Sequence, residues 1–130
     1  MTQATRCELW IGWRQRYEEE PAAELAIAQL EKLQPTELGY YEVPCGARRE
    51  ALFSRSERRG VVRWTLDFIR FDGEIPEDRT VYHYMRCAQS AIYWVAALGN
   101  SREAKAARRK ALCLDEEDAK SKQLDLFAEA

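Results

Sequence analysis

The chain has 130 residues, of which 46% are hydrophobic and 32% charged, with a formal net charge of −2. This is the length of one domain, apolar enough to bury a core, and the balance excludes a wholly disordered chain. It also excludes an overall basic field that would draw in nucleic acid from every side. No apolar run approaches the length of a membrane span, and the start, MTQATRCELW, lacks the apolar stretch of a signal peptide. The expectation is a cytoplasmic protein with no membrane association. The charge is arranged in blocks: residues 45–71 and 101–114 are basic, and the segments around them are acidic.

In chain order, residues 7–17 alternate as a strand, with Leu9, Ile11, Trp13 and Tyr17 on one face and Trp10, Arg14 and Arg16 on the other. Glu18, Glu19 and Glu20 before Pro21 suit a helix N-terminus, where the helix dipole favours negative charge. Leu25, Leu30 and Leu33, with Ala22, Ala26 and Ile27, make its apolar stripe, and Pro35 ends it near Gln34. A short strand follows near 38–43, broken by Pro44 and Gly46. A second strand, about 50–55, turns through Ser56–Gly60 into a long third strand, 61–71. There Val62, Trp64, Leu66 and Phe68 alternate with Arg63, Thr65 and Asp67, giving one buried and one wet face. Asp72–Gly73 marks a turn.

From Pro76 the period changes. Val81, Tyr84, Met85, Ala88, Ile92, Val95 and Leu98 recur at helical spacing through 77–98, and Gly99–Asn100 stops the helix. Tyr82, Tyr93 and Trp94 fall off this stripe and suit a second packing layer. Ser101 caps a further helix, about 102–113, whose polar face is basic. Residues 115–122, DEEDAKSK, carry no apolar anchor and read as a solvated linker or frayed helix end. The expected fold is therefore α+β: one domain over 1–114, with an antiparallel sheet of about four strands in β-α-β-β-β-α-α order packed on a long helix. A flexible C-terminal tail covers 115–130.

The residues point to no catalytic site, no metal and no cofactor. Cys7, Cys45, Cys87 and Cys113 lie far apart and read as reduced, mostly buried thiols. His83 and Cys87 have the i, i+4 spacing that can hold a metal or pair a nucleophile with a base. The tight ligand pairs of zinc sites and a third orienting group are both missing from the pattern. The carboxylates at 18–20 and 115–118 form surface runs rather than an acid–base pair. The reading is non-enzymatic.

The most informative stretch is Gln123, Leu124, Asp125, Leu126 and Phe127, three residues from the end. It resembles the pentapeptide by which bacterial DNA polymerases, mismatch-repair proteins and some plasmid replication initiators dock on the DNA polymerase sliding clamp. The family pattern is Gln, Leu, Ser or Asp, Leu, Phe, and all five positions match. The resemblance implies that Leu126 and Phe127 insert into an apolar pocket, that Gln123 hydrogen-bonds at its edge, and that Leu124 adds a secondary contact. As a coil, residues 115–122 would reach on the order of 15 Å. The alternative is an amphipathic terminal helix whose Leu124 and Phe127 fold back on the domain.

A second candidate is basic. Arg48, Arg49, Arg55, Arg58, Arg59 and Arg63 gather around the predicted hairpin, with Phe53 and Trp64 among them, and arginines bind phosphates and stack on bases. Three readings follow. The first is an adaptor or inhibitor on the sliding clamp, acting in replication or repair or for a mobile element. The second is a phage or plasmid protein-interaction inhibitor of counter-defence type, working through the domain surface. The third is a small DNA- or RNA-binding domain using the Arg-rich hairpin.

Overall fold

A computed structural model describes residues 6–12, 15–17, 22–46, 48–75 and 81–128, with the backbone alone for Gln15, 81–86 and 118–128. The elements are β1 (Arg6–Ile11), β2 (Gln15–Arg16), α1 (Ala22–Leu30), β3 (Tyr41–Pro44), β4 (Arg49–Arg58), β5 (Val61–Phe71), α2 (Val81–Ala96) and α3 (Arg102–Ala128). The fold is α+β, as the alternation and the two helical periods imply.

The five strands lie in the order β2-β1-β5-β4-β3. The expected sheet was wholly antiparallel; the observed one is mixed, because β1 inserts beside β5 in parallel, Arg6 opposite Val61 through Ile11 opposite Leu66. That register aligns the apolar faces of the two strands, with Leu9 opposite Trp64, both essentially inaccessible. The single strand expected over 7–17 is two. Gly12, in the left-handed region at φ 60°, turns the chain so that Gln15 and Arg16 pair back on Ile11 and Trp10. Trp13, Arg14, Glu18, Glu19, Glu20, Pro21 and residues 76–80 lie outside the described residues.

The β4–β5 hairpin is longer and tighter than the sequence suggested. Arg58 pairs with Val61 across a two-residue loop, Arg59–Gly60, with φ of 53° and 76°. Two consecutive left-handed residues make the turn whose twist matches antiparallel strands, and Asn-Gly or Asp-Gly is its favoured sequence. Asp72–Gly73 forms the second such loop, closed by paired hydrogen bonds between Phe71 and Glu74. Arg59 lacks the short polar side chain that eases the left-handed region. Replacing it by Asn (R59N) is expected to stabilise the protein by about 0.5–1 kcal/mol, read as a rise in the urea midpoint at unchanged slope.

A bulge breaks the alternation of β5. Leu52 faces Phe68 and Phe53 faces Leu66, so Asp67 is an extra residue. The buried face therefore runs Val62, Trp64, Leu66 and then Ile69; Phe68, expected inside, turns to the opposite face and meets the Tyr40 ring edge-on at 6.0 Å.

Both α1 and α2 cover one face of the sheet, and α3 packs on α2. The α1 helix stops at Leu30, about a turn before the expected end, with tighter i→i+3 bonds from Lys32 and Leu33 finishing it. Buried positions of α2 are Cys87, Ala88, Ala91, Ile92, Val95 and Ala96, a wide stripe because the helix has neighbours on several sides. Leu98 lies past the helix end and is exposed, although the period had placed it in the core.

Candidate functional site

The C-terminal segment differs most from expectation. Helix α3 continues without a break through 115–122 to Ala128, so the backbone of Gln123–Phe127 is helical rather than extended beyond a coil. Two physical reasons account for this. The sequence spaces Glu116 and Asp118 four residues before Lys120 and Lys122, a favourable order on a helix. In addition, Asp115, counted as the first linker residue, is an anchor. Helix α3 lays Ala104, Ala107 and Ala111 against α2, all buried, and Asp115 continues that stripe one turn on.

The Asp115 carboxylate gathers donors from three elements. Oδ1 lies 2.7 Å from Nη2 of Arg49 on β4 and accepts from the Ser90 hydroxyl on α2, while Oδ2 accepts from Nε1 of Trp94 on α2 at 3.0 Å. Arg49 keeps only 15% of its side-chain surface and Asp115 22%. Burial works against the Arg49 charge, but the Asp115 contacts outweigh it and hold the guanidinium above its ordinary pKa. Gly46 is part of the fit: with φ at 99°, a Cβ there would lie 2.9 Å from Arg49 Nη2. The sequence reading had set Trp94 aside for a second layer, and that layer is α3. An acid at i+4 on an alanine stripe was the signal for Asp115.

The thiols are quiet. Burial pushes the Cys45 thiol up to about 12, with Arg49 only partly opposing it. Cys7 is raised by burial and by Glu31, whose carboxylate accepts its thiol proton at 3.5 Å. All four cysteines are free; Cys113 is exposed, against the expectation of mostly buried thiols. Among the described residues no three His, Cys, Asp or Glu side chains converge on one point. The His83 side chain, and those of Tyr82, Tyr84 and Met85, lie outside the described residues, as do those of Gln123, Leu124, Asp125, Leu126 and Phe127. No described helix is long and apolar enough to cross a membrane.

The six hairpin arginines do not form one patch. Arg49 and Arg58 sit at opposite ends of a ten-residue strand, about 30 Å apart. Arg49 is committed to Asp115, and Arg48 pairs with Asp72 at 3.6 Å. Arg55 lies on the helix-facing side, 5.8 Å from the Trp64 ring centroid and 3.4 Å from Glu57. Only Arg58, Arg59 and Arg63 remain together near the hairpin tip, with no ion pair among the described residues.

No protein-family model, curated protein or solved structure matches this chain. Its function is therefore argued from its own residues.

Arg63 leads to a cluster that the hairpin reading missed. Its guanidinium lies over the Trp10 ring at 4.1 Å, on the sheet face away from the helices. Trp10 donates its indole N–H to Glu8 at 3.2 Å, and Glu8 binds Arg6 at 2.7 Å and Arg16 at 3.5 Å. These neighbours leave Glu8 8% exposed. The indole hydrogen bond, helped by the two arginines, holds the Glu8 carboxyl below its ordinary value of 4.5. A depressed carboxyl stabilises the fold above its unfolded value and loses that contribution as pH falls through the folded value. The stability difference between wild type and Glu8→Gln is therefore expected to be constant from neutral pH down to about 5 and to shrink below 4.5. Urea midpoints across that range check it.

Proposed function

We propose that this protein is an adaptor or inhibitor that docks on the bacterial DNA polymerase sliding clamp through Gln123–Phe127. The observation that carries the proposal is the match of all five residues to the docking pentapeptide, at the last turns of the final helix. The position suits the role. Asp115 fixes α3 to the domain, and Gln123 lies eight residues further on, about 12 Å along a helix. Docking in an extended form requires those last turns to unwind. Losing helical residues from an end costs about 0.3 kcal/mol each or less, so six of them cost at most about 2 kcal/mol. Two inserted apolar anchors contribute more than that.

The test is titration calorimetry of a purified bacterial sliding clamp with the full chain and with the Leu126→Ala, Phe127→Ala variant. Binding by the first and not the second supports the proposal; equal binding, or none by either, overturns it. Competition with a polymerase-derived docking peptide then shows whether the protein denies the pocket to other partners.

A further inference from the structure

The open face of the sheet carries an ordered array of basic and stacking groups. Cross-strand register arranges it in three rows. Arg6 on β1 and Arg58 on β4 flank Val61; Glu8 and Ser56 flank Arg63; Trp10 and Ser54 flank Thr65. Arg16 on β2 extends the last row by pairing with Trp10. Neighbours within a row are about 4.8 Å apart, and rows are separated by about 6.7 Å along the strands. Arg6, Glu8, Ser56, Arg58, Arg59 and Arg63 line a shallow groove at one end of this face. No described helix packs on it.

The geometry points to this face as a binding surface for single-stranded nucleic acid, with phosphates on the arginine and hydroxyl groups and a base stacked on the Trp10–Arg63 pair. Four arginines stand against one glutamate, and that glutamate is already enclosed by Arg6, Arg16 and the Trp10 N–H. Glu57, the nearest other acid on β4, lies on the opposite face with Arg55. The charge complement is therefore a polyanion. Ser54, Ser56 and Thr65 add hydroxyl donors of the kind that bind phosphate oxygens. An indole and a guanidinium in parallel contact offer flat π surface, which matches an unpaired base and finds no counterpart on a stacked duplex. The hairpin tip adds Arg59, held in the left-handed region where Asn or Gly would be easier. The other half of the face is different in kind: Leu52, Phe68 and Tyr40 lie beside Arg70, which is neutralised by Glu42 and Glu50. Single-strand contact is thus confined to the β1–β5–β4 end.

The experiment is fluorescence anisotropy of labelled oligo-dT, oligo-U and a duplex with the full chain, over 50–200 mM salt. Both single strands are expected to bind at least tenfold more tightly than the duplex. Arg58→Ser with Arg63→Ser should weaken single-strand binding at least tenfold and reduce the log–log salt slope by about 1.4. Trp10→Leu should weaken it roughly tenfold with little change in slope, because a stacked base releases no counterions. R59N serves as the folding-neutral arm, expected to lose affinity while gaining stability. Equal affinity for duplex, undiminished binding by the double variant, or no binding of either single strand overturns the inference. A preference between oligo-dT and oligo-U would show which single strand is held. The Leu126→Ala, Phe127→Ala variant is expected to bind oligonucleotide like wild type, so failure of the clamp proposal and failure of this one are distinguishable.

Discussion

Alanine at both Leu126 and Phe127 is expected to remove sliding-clamp binding, by a factor on the order of a hundred or more. Each anchor, fully buried in a pocket, contributes about 1.5–3 kcal/mol. Two together are worth about 3–6 kcal/mol, and every 1.4 kcal/mol is tenfold in affinity. Gln123→Ala should lose less, since a hydrogen bond at a pocket rim competes with water. Helicity makes a second, separable prediction about the same contact. Proline at Ser121 (S121P) breaks α3 just before the motif and leaves a segment too short to stay helical. If the pentapeptide binds extended, S121P keeps wild-type affinity or exceeds it, because the unwinding cost is already met. If S121P binds as poorly as the alanine pair, the helical form is the bound form and the extended mode is wrong.

The largest stability effect is expected at Asp115. Asp115→Ala strips Arg49, Ser90 and Trp94 of a shared acceptor and leaves a largely buried guanidinium unpaired. Breaking such a pair from one side typically costs about 3 kcal/mol or more. For a chain of this size that lowers the melting temperature by roughly 10 °C. Asp115→Asn should be milder, since it keeps the shape and one acceptor. The decisive variant is the double replacement Arg49→Met, Asp115→Leu, which removes both charges. It should recover much of the loss, because an apolar pair of similar volume avoids desolvating two ions. If the double variant is as unstable as Asp115→Ala, the network contributes through its hydrogen bonds to Ser90 and Trp94. Clamp affinity of Asp115→Ala at a temperature where it stays folded should match wild type, because the anchor positions α3 without touching the pocket.

The sequence carried the strands and the helical periods plainly, since one wet face and one buried face impose a period of two on β5 and of 3.6 on α2. It carried the Asp72–Gly73 turn for the same local reason. Features that depend on distant partners were not legible. The parallel seating of β1 is decided by the apolar match of Leu9 with Trp64, and nothing near Leu9 announces it. The bulge at Asp67 follows from how β4 and β5 accommodate Phe53 and Leu52, and it moved Phe68 out and Ile69 in. The arginines clustered in sequence, but a ten-residue strand distributes its side chains over two faces and about 30 Å. Arg6, Arg16 and Trp10 came together with Arg63 only because β1 lies next to β5. The docking pentapeptide was the reverse case: visible in sequence alone, and set by the fold only as to where it is carried.

The parallel β1–β5 pairing joins residues 55 positions apart, Arg6 with Val61. Strands this distant in sequence meet late, because the intervening loop must be closed before any contact between them is gained. The β4–β5 hairpin, by contrast, needs only its two-residue loop and belongs to the microsecond range. A newly made chain therefore holds its N-terminal strand unpaired until residue 66 is available, with Leu9 and Ile11 exposed. Assembly order is thus written into the sheet: hairpin first, then the N-terminal strand. R59N, which eases the hairpin loop, should show its gain in the refolding rate and leave unfolding nearly unchanged.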